Sequence, residues 1–337
     1  MKLFIVIRAK STALYVVLLV AALLLVWSWG SAVPVFWGSK MIYFMGHQLD
    51  PMAEDLTEQV TRLVEGLNQK PVNAVIDPET KGPLPDISGF EIMIPETVEQ
   101  IKRAKNGSVV QPIWREIPAE IRLESFLDKA VWQGNPLRNQ VALVINVSWG
   151  NEYLLEMLDI FTEKQIKASF FLVGKWATKN PDLVKKIHDL GHEFGNHGYS
   201  DPHMSKLSAG EIKEEIKKTN QAIFDSTGIT PSWFSPPYGE KLQKIYSAAA
   251  QVPMQTVLWS LDTVDWKLPG EDKIVERIVN NLHNGAIILM HPTEQTPGAL
   301  RKIIEAIKQQ GYEAVTVGEL IDPSYWPKKY APLWTGN

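Results

Sequence analysis

The chain has 337 residues, 45% of them hydrophobic and 21% charged, with a net charge of -4 and no cysteine. That composition supports two or three packed units and argues against wholesale disorder. It excludes disulfides, thiolate metal sites and cysteine nucleophiles, and the acidic balance argues against nucleic acid as the main partner.

The first predicted element is a membrane anchor. Lys2, Arg8 and Lys10 precede an uncharged run from Ser11 to Ser39, centred on ALYVVLLVAALLLVWSWG. About 20 apolar residues span a bilayer. The basic flank should stay cytoplasmic, with Trp27, Trp29 and Trp37 at the outer interface. A cleaved signal peptide has a shorter apolar region followed by a small-x-small site, which WSWGSAVPV fits poorly. Residues 1–40 are therefore expected to form an uncleaved signal-anchor, with the rest of the chain on the extracytoplasmic side.

Residues 41–135 read as a small α+β region. AEDLTEQVTRLVEGLNQ has the pattern of an amphipathic helix, with Leu56, Val60, Leu63, Val64 and Leu67 on one face. Short β-rich pieces broken by Pro and Gly follow, with one helix near residues 95–105. Through KPVNAVID and that helix, residues 54–121 resemble the small peptidoglycan-binding-like module of vancomycin-resistance W-type proteins and some cell-wall transpeptidases. A featureless spacer that lifts the next domain off the membrane is the other reading.

From Gln140 onward strands and helices alternate. VALVINV, ASFFLVG, HEFGNH, PSWFS, TVLWSLD and GAIILMH read as strands, and PDLVKKIHDLG and AGEIKEEIKKTNQAIFDSTG as helices. Ser208 and Glu211 form a capping box at the start of the last of these, and Gly228 suits its end. Such alternation implies an α/β fold with a parallel sheet, doubly wound or closed into a barrel. In either, the working face is the carboxyl end of the strands. The unit is expected to span residues 136–322, and 323–337 to form an aromatic, proline-rich tail.

At those strand ends stand NVSWGNE, NHGYSDPH, FSPPYG, WSLDTVDW and ILMH. The five motifs, in this order over residues 138–321, resemble the polysaccharide deacetylase family, also called NodB-homology or carbohydrate esterase family 4. The branch most resembled is that of the sporulation-associated deacetylase-like proteins. The resemblance implies a distorted (β/α) barrel of seven to eight strands, acting on cell-wall glycan such as peptidoglycan or another N-acetylglucosamine polymer. It also implies a chemistry. Hydrolysing an N-acetyl amide needs activated water, which a divalent metal such as zinc supplies by lowering the water's pKa from about 15.7 towards about 7. The family holds its metal with one aspartate and two histidines. A second aspartate is the base, an arginine orients it, and a histidine protonates the leaving amine.

Carried over position by position, the resemblance breaks at four residues. Ser148 stands at the base aspartate and Trp149 at the metal aspartate; His197 keeps the first metal histidine, but Asp201 replaces the second; Ser235 replaces the arginine. Pro236, Pro237, Tyr238 and Gly239 match, as do Asp262, Asp265 and Trp266, and then Leu289 and His291. The losses come in functional pairs. An orienting arginine without its carboxylate would be a buried unpaired charge, which is costly.

His197 and Asp201 thus read as remnant ligands with His192 and His203 nearby, too few for zinc, which takes three or four. No bound cofactor is expected unless the chain is active. Asp265 and His291 read as a remnant acid pair, or as a structural hydrogen bond. Trp149, Tyr238, Trp266 and Leu289 read as a sugar-stacking groove or as core. Asp262 reads as a tie between strand and loop, and His188 and His283 as surface residues. Three functions remain open: a glycan-binding pseudoenzyme at the cell wall, an active divergent metal-dependent deacetylase, or an anchored interaction protein in sporulation or cell-wall assembly.

Overall fold

A computed structural model describes residues 40–325. The expected anchor, and the tail from residue 326, lie outside the described residues. Among those described, no helix is long and apolar enough to cross a membrane. The chain forms two compact units, residues 40–63 with 94–111 and residues 64–93 with 112–325. The stretch 41–135 expected as one region therefore contributes to both.

In the smaller unit Ile42–Phe44 pairs antiparallel with His47–Leu49 and parallel with Val109–Val110. Its two helices are Leu56–Leu63 and Ile94–Arg103. Leu56 and Val60 are buried, as are Val98 and Ile101 at helical spacing on the second helix. The first helix is shorter than its pattern suggests. It ends before Gly66, whose φ of +80° is left-handed and cannot continue a helix.

The larger unit is built on one parallel sheet. Its strands are β1 (Ala130–Val131), β2 (Gln140–Val147), β3 (Ser169–Leu172), β4 (Glu193–Asn196), β5 (Trp233–Phe234), β6 (Gln255–Val257), β7 (Leu261–Asp262), β8 (Ile287–Met290) and β9 (Glu313–Val315). They run in the order β7-β8-β2-β3-β4-β5-β6-β1, with β9 paired to the start of β2. The sheet has nine strands instead of seven or eight. Ala130–Val131 and Glu313–Val315 are too short to stand out as periodic runs.

The helices are α1 (Asn151–Lys164), α2 (Gly174–Lys179), α3 (Pro181–Asp189), α4 (Ala209–Thr227), α5 (Gln243–Ala250), α6 (Glu271–Val279), α7 (Thr296–Gln309) and α8 (Val317–Ile321). The capping box at Ser208 forms as expected, and Gly228 ends α4 in the left-handed conformation.

Every residue of β2 is buried, and the alternation of its side chains sorts them into two layers. Val141, Leu143, Ile145 and Val147 pack outward with Leu154, Leu158 and Ile303 of the helices. Ala142 and Val144 point the other way, into a cluster with Phe171, Val257, Ile287, Leu289 and Val315. A sheet with apolar residues on both faces must be covered on both, so it either takes a second layer or curls. This one curls.

The curl is sealed by a segment that sequence periodicity merges into one strand. TVLWSLD is two strands at opposite ends of the sheet order, β6 beside β1 and β7 beside β8. The Leu258 amide donates to the Val131 carbonyl at 2.8 Å, and two residues later the Ser260 amide donates to Ile287 at 3.1 Å. Gln133 also bridges to Ala286. The expected barrel-like closure is thus made by residues 257–261 stepping across the gap.

Candidate functional site

The carboxyl ends of β2, β4, β5, β6, β7 and β8 deliver their turns to one cavity of about 480 Å³. Asn146, Ser148, Trp149, His197, Asp201, Tyr238, Trp259, Asp262, Trp266, Leu289 and His291 line it. Of the catalytic, binding and metal positions expected from the family motifs, Asp265 and Ser235 are absent from the lining, and both act from behind it.

The turn after β2 is fixed by Gly150. Its φ is +80°, and a Cβ there would sit 2.0 Å from the Pro292 carbonyl oxygen. No other residue fits so close an approach. This locks the turn against the loop after β8, so Trp149 and His291 face the same cavity. Their ring planes differ by 5°, with centroids 6.5 Å apart. Trp149 is 46% exposed. The indole is therefore a wall of the cavity and not part of the core.

His291 is held by Asp265. Asp265 is fully buried, and its carboxylate accepts from the His291 ring Nδ1 at 2.8 Å, the His291 amide at 2.7 Å and the Thr296 hydroxyl at 2.9 Å. A carboxylate that accepts from Nδ1 leaves Nε2 as the nitrogen free to meet a ligand. Asp265 and His291 are thus in bonding geometry.

His197 is also buried. Its Nδ1 lies 2.8 Å from the Ser235 carbonyl, which can only accept, so Nδ1 carries the proton. Burial pushes its pKa down to about 4, against the pull of that carbonyl, so the ring is neutral. Ser235 acts here through its backbone, where a side-chain motif assigns it nothing. Asp201 sits at φ +57°, and burial raises its carboxyl above the usual range. Its loop is anchored by Glu215 of α4, which accepts from the Tyr199 and Ser200 amides at 2.8 and 2.7 Å.

These residues do not fit a metal of the family's kind. The place of the ligating carboxylate is taken by an indole, which has no lone pair to offer. Among the described residues no group of three His, Cys, Asp or Glu side chains is arranged to hold a metal ion. Ser148 and Trp149 leave the turn after β2 without a carboxylate in the cavity. What remains is a mainly apolar cavity walled by Trp149, Tyr238, Trp259 and Trp266, with Tyr238 and Trp266 61% and 53% exposed. Lys267 lies over one face of Trp266, 4.7 Å from its centroid, so the opposite face is the one left for stacking. Leu289 reaches the cavity but is otherwise core.

Sequence reasoning missed Asn146 and Trp259. Asn146 was legible as the last polar residue of β2. Trp259 was hidden by the merging of β6 and β7.

A curled parallel α/β sheet with a Ser-Trp-Gly turn, a buried histidine and an Asp–His pair at its carboxyl end defines a class. A family model for polysaccharide deacetylases matches residues 133–257. The chain belongs to that family, carbohydrate esterase family 4. It is 40% identical over 273 residues to the uncharacterised protein YlxY of Bacillus subtilis, covering 81% of this chain and 84% of that one. It is 35% identical over 190 residues to a peptidoglycan-N-acetylglucosamine deacetylase of Bacillus cereus, covering 55% and 69%. Among solved structures it resembles a wild-type family 4 pseudoenzyme from Bacillus anthracis, with a TM-score of 0.68 and 34% identity over 80% of this chain and 96% of that one. A mutant of that pseudoenzyme, described as having restored enzymatic activity, matches with the same TM-score and identity over 80% and 98%.

Proposed function

We propose that the chain is a polysaccharide deacetylase homologue that binds N-acetylated cell-wall glycan without hydrolysing it. The observation that carries this reading is the β2 turn, where an exposed indole and a serine occupy the two carboxylate positions while the surrounding cavity stays open. The aromatic walls supply apolar faces for sugar rings, and the Asp265–His291 pair and Asp262 supply hydrogen-bonding edges. The likeness to a family pseudoenzyme supports the same reading.

The test combines binding and catalysis. N-Acetylglucosamine oligomers and peptidoglycan fragments should bind the chain weakly, with Trp266→Ala and Tyr238→Ala each lowering affinity while the melting curve stays unchanged. No acetate should be released. Acetate release by the unmodified chain, abolished by His291→Ala, would make it an enzyme. A complete lack of glycan binding would favour an interaction protein.

The proposal includes a place. The basic flank and apolar run of residues 11–39 support anchoring with the deacetylase-like unit outside the cytoplasmic membrane. In fractionated cells the protein should pellet with membranes and be digested by protease added outside. Recovery of a shortened form, beginning after residue 30, from the culture medium would refute the anchor.

A further inference from the structure

Tyr238 is exposed and its backbone is strained, yet it is held in place. It sits at φ +60° and ψ +9°, the left-handed region that a side chain disfavours. Its hydroxyl donates to the carbonyl of Asp201, itself at φ +57°, over 3.3 Å. With 61% of its surface exposed, Tyr238 has little core to pack against. The ring stacked on it is that of His203, whose centroid lies 4.1 Å from that of Tyr238 with planes 20° apart.

His203 is braced in turn. Its Nδ1 lies 3.1 Å from Glu240 Oε1, and the Glu240 carboxylate also accepts from the Ser205 amide at 2.7 Å and the Ser205 hydroxyl at 2.6 Å. Lys244 pins the same segment by donating to the carbonyls of Ser205 and Leu207 at 2.6 and 2.9 Å. Two loops, one from β4 and one from β5, are thus fastened behind the cavity wall. His203 does not line the cavity, and the family motifs assign it no role in this chain.

We propose that His203 is a positioning residue for ligand recognition: stacked under Tyr238 and tied to Glu240, it presents that ring to the flat apolar face of a β-linked pyranose. A ring already fixed in its bound orientation loses less freedom on binding than one that must be ordered by the ligand. The ligand half of this inference rests on the glycan-binding reading; the structural half does not.

The test uses the full chain with labelled tyrosine rings, the Tyr238 signal being assigned through Tyr238→Phe, and N-acetylglucosamine tetramer as the probe. In His203→Ala the Tyr238 ring protons should lose the upfield shift of a stacked ring. Tetramer affinity should fall about five- to tenfold, the scale of one side chain's ordering cost, with the melting temperature unchanged. His203→Phe keeps a ring under Tyr238 and should restore both readouts. His203→Gln keeps a partner for Glu240 without the stack and should restore neither. An unchanged Tyr238 shift in His203→Ala overturns the inference, as does lost affinity that His203→Phe fails to recover. If the unmodified chain binds no tetramer, the glycan reading and the ligand half fail together, and the ring shift alone decides whether His203 holds Tyr238.

Discussion

Changing Ser148→Asp, Trp149→Asp, Asp201→His and Ser235→Arg together should convert a chain that releases no acetate into one that does. The cavity already supplies His197 in neutral form, and the Asp265–His291 pair is in bonding geometry. By the family resemblance, the four substitutions would supply the metal ligands, the base and the cation that orients it. A divalent metal present at 100 times its Kd should then stabilise the fold by about 2.7 kcal/mol. Activity should return only in part, because groups behind the ligands also matter, typically by about 10- to 100-fold. Each single restoration should stay inactive, since residues acting as one unit give non-additive effects. Ser235→Arg alone should also destabilise, because it places an unpaired cation at a buried position. The measurements are metal content, melting temperature with and without zinc, and acetate release from N-acetylglucosamine oligomers. A quadruple variant that folds but gains no metal-dependent stability would sink this account of the site.

Acidification should destabilise the larger unit from within. His192 is buried on edge against the rings of Phe161 and Phe170, its Nδ1 accepts from the Ala168 amide at 3.2 Å, and its Nε2 has no partner. Burial, with a smaller push from Lys167, brings its pKa down to about 4. His197 is depressed to about 4 as well. A histidine whose folded pKa lies below its unfolded value of about 6.5 binds its proton more readily when unfolded. Its contribution is intact above pH 6.5 and is lost as the pH falls towards 4. Between pH 7.5 and 5 each histidine should cost about 2 kcal/mol, because every tenfold difference in proton affinity between the folded and unfolded chain is worth about 1.36 kcal/mol. The buried carboxyls of Glu193, Asp86 and Asp201 have the opposite sign. Their pKa values are raised, so they favour the fold more as the pH falls and offset part of the loss. Urea unfolding at pH 7.5 and 5 should show the net decline. His192→Asn, which keeps an acceptor for Ala168, should remove the His192 share of about 2 kcal/mol, at least half of the net decline. An equal pH slope in His192→Asn would exclude His192 as a source.

The sequence made the β2 turn, the two cavity histidines and the Asp–His pair legible because each hangs on a strand end whose apolar run is unmistakable. VALVINV could only be a strand buried on both faces, and the residue after it had to point at the cavity. What stayed hidden depends on contacts without local pattern. The three residues between β6 and β7 are as apolar as the strands they separate, so no periodicity marks the crossing. Ser235 contributes a carbonyl, and every residue has one. His203 and Tyr238 meet across 35 positions through two irregular loops, where neither helical nor strand spacing brings residues together. The division between the two units was not legible either, because the prolines and glycines of residues 64–93 read as turns within one region.

The crossing at residues 257–261 also bears on solubility. A parallel sheet with free ends exposes rows of unpaired amides and carbonyls that invite pairing with another chain. Here Leu258 and Ser260 spend their amides on opposite ends of the same sheet, and Gln133 and Ala286 close the gap beside them. The large sheet can therefore carry a cavity ringed with exposed indole and phenol side chains without an open backbone edge at this seam. At this seam the exposed aromatic side chains of the cavity stand beside backbone groups that are already paired.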